Sequence, residues 1–106
     1  NLFYKKLNMD ISEAKKVVME SIQNVLDERD DDIPSEEITE EMQLIGGESL
    51  LDSMNLVQVC IDLEDYADDN GFEFDWASEA AMSKSRSMFR NVLALAEEFS
   101  KQSNTK

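Results

Sequence analysis

Apolar residues along this chain recur mostly at helical rather than alternating spacing. Ala14, Val18, Ile22, Val25 and Leu26 fall three to four positions apart, a period that gathers side chains on one face of an α-helix. Asp10 or Ser12 can cap that helix and Glu13 suits its first turn, so a first helix is predicted up to about Glu28. An acidic stretch over residues 27–32 and then Ile33-Pro34-Ser35 end it, because proline and clustered like charge both disfavour helix. A long connection follows. Ile38, Met42, Leu44 and Ile45 are spaced to pin it to the core, and Gly46-Gly47 supplies a turn.

A second helix is predicted from Ser53, its expected N-cap, to about Asp69, with core positions Leu56, Val59, Cys60, Leu63, Tyr66 and Ala67. Asn70-Gly71 stops it, and Gly71 suits a left-handed position after the helix. Phe72, Phe74 and Trp76 alternate with acids, but no partner strand exists for so short a run. The segment reads as an extended loop inserting aromatics beneath the second helix. A short third helix is expected over residues 78–82 and a polar turn over 83–87. Ser87 then caps a last helix with Phe89, Val92, Leu93, Ala96 and Phe99 inward. The expected fold is all-α: a small four-helix bundle with three longer helices, one short helix and a long first loop. Residues 1–9 read as a leader or disordered N-terminus, 10–101 as the domain and 102–106 as a flexible tail. Met9 is a possible natural start.

Composition narrows the function. Ten basic and 24 acidic residues in 106 give a net charge of −14, which repels nucleic acid and anionic membrane and favours basic partners. Such encounters weaken as salt rises. Self-repulsion also opposes compaction, and diffuse cation binding is expected of so acidic a surface. There is no histidine, so neither a Ser-His-Asp nor a Cys-His centre can be assembled from this chain alone. One cysteine and no imidazole disfavour zinc, and Cys60, on the apolar side of its helix, reads as a buried, inert thiol. No internal disulfide is possible, which fits a reducing cytosol. No apolar run approaches the roughly 20 residues of a membrane span.

The second helix has more apolar surface than its core needs. At about 100° per residue, Met54, Val57, Gln58, Ile61 and Asp65 lie opposite the core face. Asp62, Glu64, Asp68 and Asp69 border or extend that stripe. An apolar strip edged by one sign of charge is suited to docking another protein; the plainer alternative packs Val57 under the first loop. A serine at a helix start is likewise most often only a cap. It can also carry a phosphate ester, which the free N–H groups and the helix dipole favour.

The run Leu51-Asp52-Ser53-Met54 through Leu63-Glu64-Asp65 resembles the signature of the acyl carrier and peptidyl carrier protein family. In that family an Asp-Ser-Leu-type motif opens the second helix, and a Leu-Glu-Glu-like run lies about three turns on. Val57, Val59, Cys60, Leu63, Glu64 and Asp65 hold the expected positions, and Met54 replaces the usual leucine. Ala81-Met82-Ser83 and Met88-Phe89-Arg90 are similar to the end of specialised stand-alone carriers. The likeness extends from about Ser12 to Phe99, although only the Ser53 region is specific. Leu50-Leu51 stands where many fatty-acid carriers have glycine, a departure from the housekeeping fatty-acid subgroup.

The resemblance implies a carrier, not an enzyme. Ser53 would accept 4′-phosphopantetheine from coenzyme A and hold an acyl or aminoacyl thioester, with Asp52 as its motif neighbour helping to orient the serine and a metal-bound donor. Met54, Val57, Gln58 and Ile61 would give partner contacts, with Asp62, Glu64, Asp65 and Asp68 meeting basic side chains. The implied partners are a phosphopantetheinyl transferase, an acyl- or aminoacyl-activating ligase and a synthase or acyltransferase. A cytoplasmic monomer without membrane insertion is expected. Gly47-Glu48-Ser49-Leu50 imitates the same motif, but Ser49 would put Leu63-Glu64-Asp65 a full turn too far along and leave Asp52-Ser53 inside a helix. The alternative from another class is an unmodified acidic adaptor in which Ser53 only caps the helix. A calcium-sensing module is the third and weakest alternative, because in a loop centred on Gly71 Tyr66 and Ala77 would take the first and last ligand positions, where side-chain oxygen donors are needed. Trp76 and its neighbours read as core residues or loop anchors, with an alternative at the entrance of a cargo site.

Overall fold

The computed structural model describes residues 9–29, 38–46 and 51–104. Helix α1 spans Ile11–Glu28, and Asp10 caps it: its carboxylate accepts from the Glu13 N–H at 2.9 Å. Its buried face carries Ala14, Val17, Val18, Ile22, Val25 and Leu26, the expected stripe with Val17 added. Helix α2 spans Ser53–Asp69 and ends as the sequence foretells. Asn70 is its C-cap and Gly71 follows at φ 87°, a left-handed backbone that only glycine adopts without strain. The N–H groups of Gly71 and Phe72 then reach back to the Asp68 and Ala67 carbonyls at 3.4 and 3.0 Å, closing a Schellman turn.

The C-terminal third departs from expectation. Ser78 caps α3, Glu79–Ser83, through its hydroxyl. The expected polar turn contains a further single-turn helix, α4, at Ser85–Met88. The last helix, α5, spans Val92–Ser103 and is capped by Asn91, not Ser87. The Ser87 hydroxyl instead donates backwards to the Lys84 carbonyl at 3.4 Å. A tertiary contact decides where α5 starts. Its orphan Val92 and Leu93 N–H groups bond the Met42 and Glu40 carbonyls, both at 3.0 Å, while the Asn91 side chain takes the Ala94 N–H at 2.8 Å. Gln43 and Asn91 form an isolated antiparallel bridge, and no strand occurs among the described residues.

Helix α1 lies against both α2 and α5, and the two short helices connect α2's end to α5. The described residues are thus all-α, with five helices of which three are long. Ile38 and Leu44 are buried and Met42 is half-buried against the core, whereas Ile45 is exposed. The long connection is therefore pinned at three of its four expected points. Phe72 and Phe74 do insert beneath α2. With Tyr66 they surround Phe99, at centroid distances of 5.4, 5.0 and 6.1 Å, the Phe74 contact edge-on. Each such pair contributes about 0.5–1.5 kcal/mol beyond burial.

The folded body is longer than residues 10–101. Met9 is 2% exposed, and its N–H donates to the Ser103 hydroxyl at 3.0 Å while its carbonyl accepts from Ser100 at 2.7 Å. Ser103, expected in a flexible tail, is fully buried, and Asn104 closes α5 with hydrogen bonds to Ser100 and Met9. A polar pair that satisfies itself internally can enter a core that lone polar groups cannot. Ser49, the Pro34 break and residues 1–8 lie outside the described residues.

Candidate functional site

The N-terminus of α2 corrects the sequence reading in one respect. Asp52, not Ser53, is the N-cap. Its backbone is extended, its carboxylate accepts the Asn55 N–H at 2.8 Å, and the Asn55 side-chain oxygen accepts the Asp52 N–H at 3.4 Å. This reciprocal capping box uses a charged acceptor at the positive end of the helix dipole, which a hydroxyl one position later does not match. Ser53 is therefore the first helical residue. It is exposed, and its hydroxyl makes no hydrogen bond to any described residue. Helix N-termini leave their first N–H groups without intrahelical partners, so Ser53 sits among them.

Two other side chains shape this turn. Leu51, 7% exposed, anchors the approach to the core. Arg29, the C-cap of α1, donates from Nη1 to the Asn55 oxygen at 2.8 Å. The sequence pattern did not reveal Arg29 or Asn55. The usual capping-box signature carries Glu or Gln at the third position, and the Arg29 contact joins residues 26 apart in sequence.

Beside the serine lies a cavity of about 520 Å³. Leu44, Leu51, Leu56, Cys60, Trp76 and Phe89 supply apolar wall, and Asp52, Ser53 and Ser85 supply polar groups. The size falls in the range of small-molecule sites, which pair a mainly apolar lining with a few polar groups. Trp76 is half-buried against the core, as expected of a core residue or loop anchor, and it also lines the cavity. Its indole N–H is buried without a hydrogen-bond partner. Cys60 is 1% exposed and burial, with Glu64 nearby, pushes its thiol up to about 12; the thiolate needed for nucleophilic chemistry is suppressed.

The outer stripe of α2 is where periodicity put it. Met54 is 75% exposed, Val57 38% and Ile61 39%. Gln58, Glu64, Asp65 and Asp68 are exposed on the same side of the helix. Val57 also contributes to the cavity wall, so its side chain lies between the stripe and the pocket. Asp62 differs. It is half-buried, accepting from Ser21 of α1 at 3.3 Å and from Gln58 at 3.1 Å, which directs its carboxylate towards α1. Met82, 60% exposed and also a cavity residue, adds an apolar group from α3. Among the described residues no group of three or more acidic, Cys or His side chains is arranged to hold a metal ion. No helix there is long and apolar enough to cross a membrane.

In comparison with known proteins, the chain matches no family model, no curated protein and no solved structure.

Proposed function

We propose that this chain is an acyl carrier protein, with Ser53 the attachment point for 4′-phosphopantetheine and the exposed face of α2 its docking surface. The single observation carrying this reading is that Asp52 performs the capping. A serine kept only to cap α2 would accept a backbone N–H of that helix, yet Asp52 accepts it, and the Ser53 hydroxyl is exposed and bonds no described residue. A reactive hydroxyl needs that freedom. The residues present also fit the group: a phosphodiester on Ser53 gains from the N–H groups and dipole of α2, and the adjacent apolar cavity suits an acyl chain.

In loading, Ser53 Oγ forms a bond to the phosphorus of the phosphopantetheinyl donor. The P–O bond to 3′,5′-adenosine diphosphate breaks, and the hydroxyl proton leaves to a base on the transferase. Asp52 holds the turn through Asn55. When bound, the arm supplies a thiol that carries cargo as a thioester and raises its concentration at partner active sites by tethering. Met54, Val57 and Ile61 give apolar contact, and Glu64, Asp65 and Asp68 attract basic partner surfaces. The chain performs no reaction itself. The fold belonging to this reading is the carrier bundle, with α3 and α4 together filling the place of its short helix.

Incubation with coenzyme A and a broad-specificity phosphopantetheinyl transferase, followed by intact mass and peptide mapping, tests the proposal. One phosphopantetheine on Ser53, lost in Ser53→Ala, is expected. Addition at Ser49 would keep the carrier function and move its site. No addition with several transferases would refute the proposal and leave the exposed stripe of an unmodified adaptor.

A further inference from the structure

The Asn55 side-chain oxygen joins two elements. It accepts the Asp52 N–H at 3.4 Å from within the capping box and the Arg29 Nη1 at 2.8 Å from the end of α1. A carbonyl oxygen has two lone pairs, so both donors can be accommodated at once. Ser53 and Met54 are the two residues enclosed between the ends of that box. Whatever orients the box orients Ser53. Within α2 the box is closed by local bonds alone; the Arg29 contact adds a reference point on a different helix.

We infer that Arg29 is a positioning residue for the modification of Ser53, acting through Asn55. The inference rests on the carrier reading given above. In-line attack by a serine oxygen on phosphorus is sensitive to placement, and errors of about 1 Å can cost two orders of magnitude in rate. Asp52 and Ser53 are both exposed at the start of α2, so that placement depends on the residues on either side of them. On the approach, Leu51 fixes the chain to the core. On the helix side, the guanidinium of Arg29 ties the third helical residue to α1, which itself packs against both α2 and α5. A charged donor makes the stronger kind of hydrogen bond.

The charge of Arg29 lets positioning be separated from electrostatic attraction. The chain carries a net charge of −14, and a transferase that recognises so acidic a surface presents basic groups. Removing a positive charge from the carrier strengthens that attraction, so electrostatics alone would leave KM unchanged or lower it. Loss of positioning lowers kcat. The two effects act on different constants and in opposite senses.

The test is steady-state loading of full-length wild type, Arg29→Met, Arg29→Lys, Asn55→Ala and the Arg29→Met/Asn55→Ala double variant, with amide hydrogen exchange on each. Circular dichroism verifies that all remain folded. For Arg29→Met we expect about a three- to tenfold loss in kcat with KM unchanged or lower, and faster exchange at the Asn55 and Leu56 amides. Arg29→Lys restores most of the rate, since an ammonium can also donate to Asn55. The double variant should be no slower than Asn55→Ala, because two residues acting through one bond are non-additive. Additive losses would mean that Arg29 acts by another route, overturning the inference. So would a wild-type loading rate in Arg29→Met, whether or not its amides exchange faster. Failure of wild type itself to load would instead refute the carrier reading and remove this inference with it.

Discussion

Replacing Asp52 and Ser53 separately by alanine separates the two roles that a helix start can combine. Asp52 accepts the Asn55 N–H at 2.8 Å and stands exposed at the end of α2. Loss of such a cap costs about 1 kcal/mol, within a range of about 0.5–2. Unfolding entropy of about 2.1 cal/mol/K per residue over 106 residues amounts to about 0.2 kcal/mol per degree. Asp52→Ala should therefore lower Tm by about 4–5 °C. Ser53→Ala removes no hydrogen bond to a described residue and puts the best helix former at an exposed helical position, so its effect should stay within about 0.5 kcal/mol, or about 2 °C. Thermal unfolding followed by far-ultraviolet circular dichroism measures both. On the carrier proposal, loading should reverse the order: Ser53→Ala should abolish phosphopantetheinylation, whereas Asp52→Ala retains an acceptor hydroxyl and should load slowly. Equal destabilisation by both substitutions would show that Ser53 shares the capping role and would remove the argument that frees its hydroxyl.

Other consequences are open to direct measurement. The Cys60 thiol, buried and held near 12, should resist a thiol reagent at mildly alkaline pH in the native protein and react at once in denaturant. Because its folded value lies above the ordinary value of 9.0, its contribution is intact below pH about 9. That contribution is lost as pH rises towards about 12, where only the unfolded chain ionises freely, so alkaline Tm should fall over that window. Phe99→Ala deletes the ring around which Tyr66, Phe72 and Phe74 pack and should cost about 3–5 kcal/mol, seen as a large drop in denaturant midpoint. Ile61→Glu, at a 39% exposed position, should leave Tm nearly unchanged while raising KM for partner enzymes. In wild type, that KM should rise with salt.

Much of the helical framework was legible because it depends on local periodicity. The inner faces of α1 and α2, the Gly71 stop and the outer stripe of Met54, Val57 and Ile61 all follow from side-chain spacing and from glycine's access to φ 87°. Charge and the missing histidine likewise constrain chemistry without any coordinates. Tertiary structure decided what local rules leave degenerate. Asp52 and Ser53 are both good caps; the Asn55 capping box that goes with Asp52 is itself local, and the tertiary addition is the Arg29 bond to Asn55 from α1. Ser87 and Asn91 are both plausible starts for the last helix, and the Met42 and Glu40 carbonyls choose the second. Ser103 looks like tail until Met9 meets it from 94 residues away. Arg29 at the serine turn and the cavity wall assembled from Leu44, Trp76 and Phe89 have the same origin. Where a hydrogen-bond donor or an apolar side chain has its partner far away in sequence, its role is fixed only when the two distant segments are brought within bonding distance.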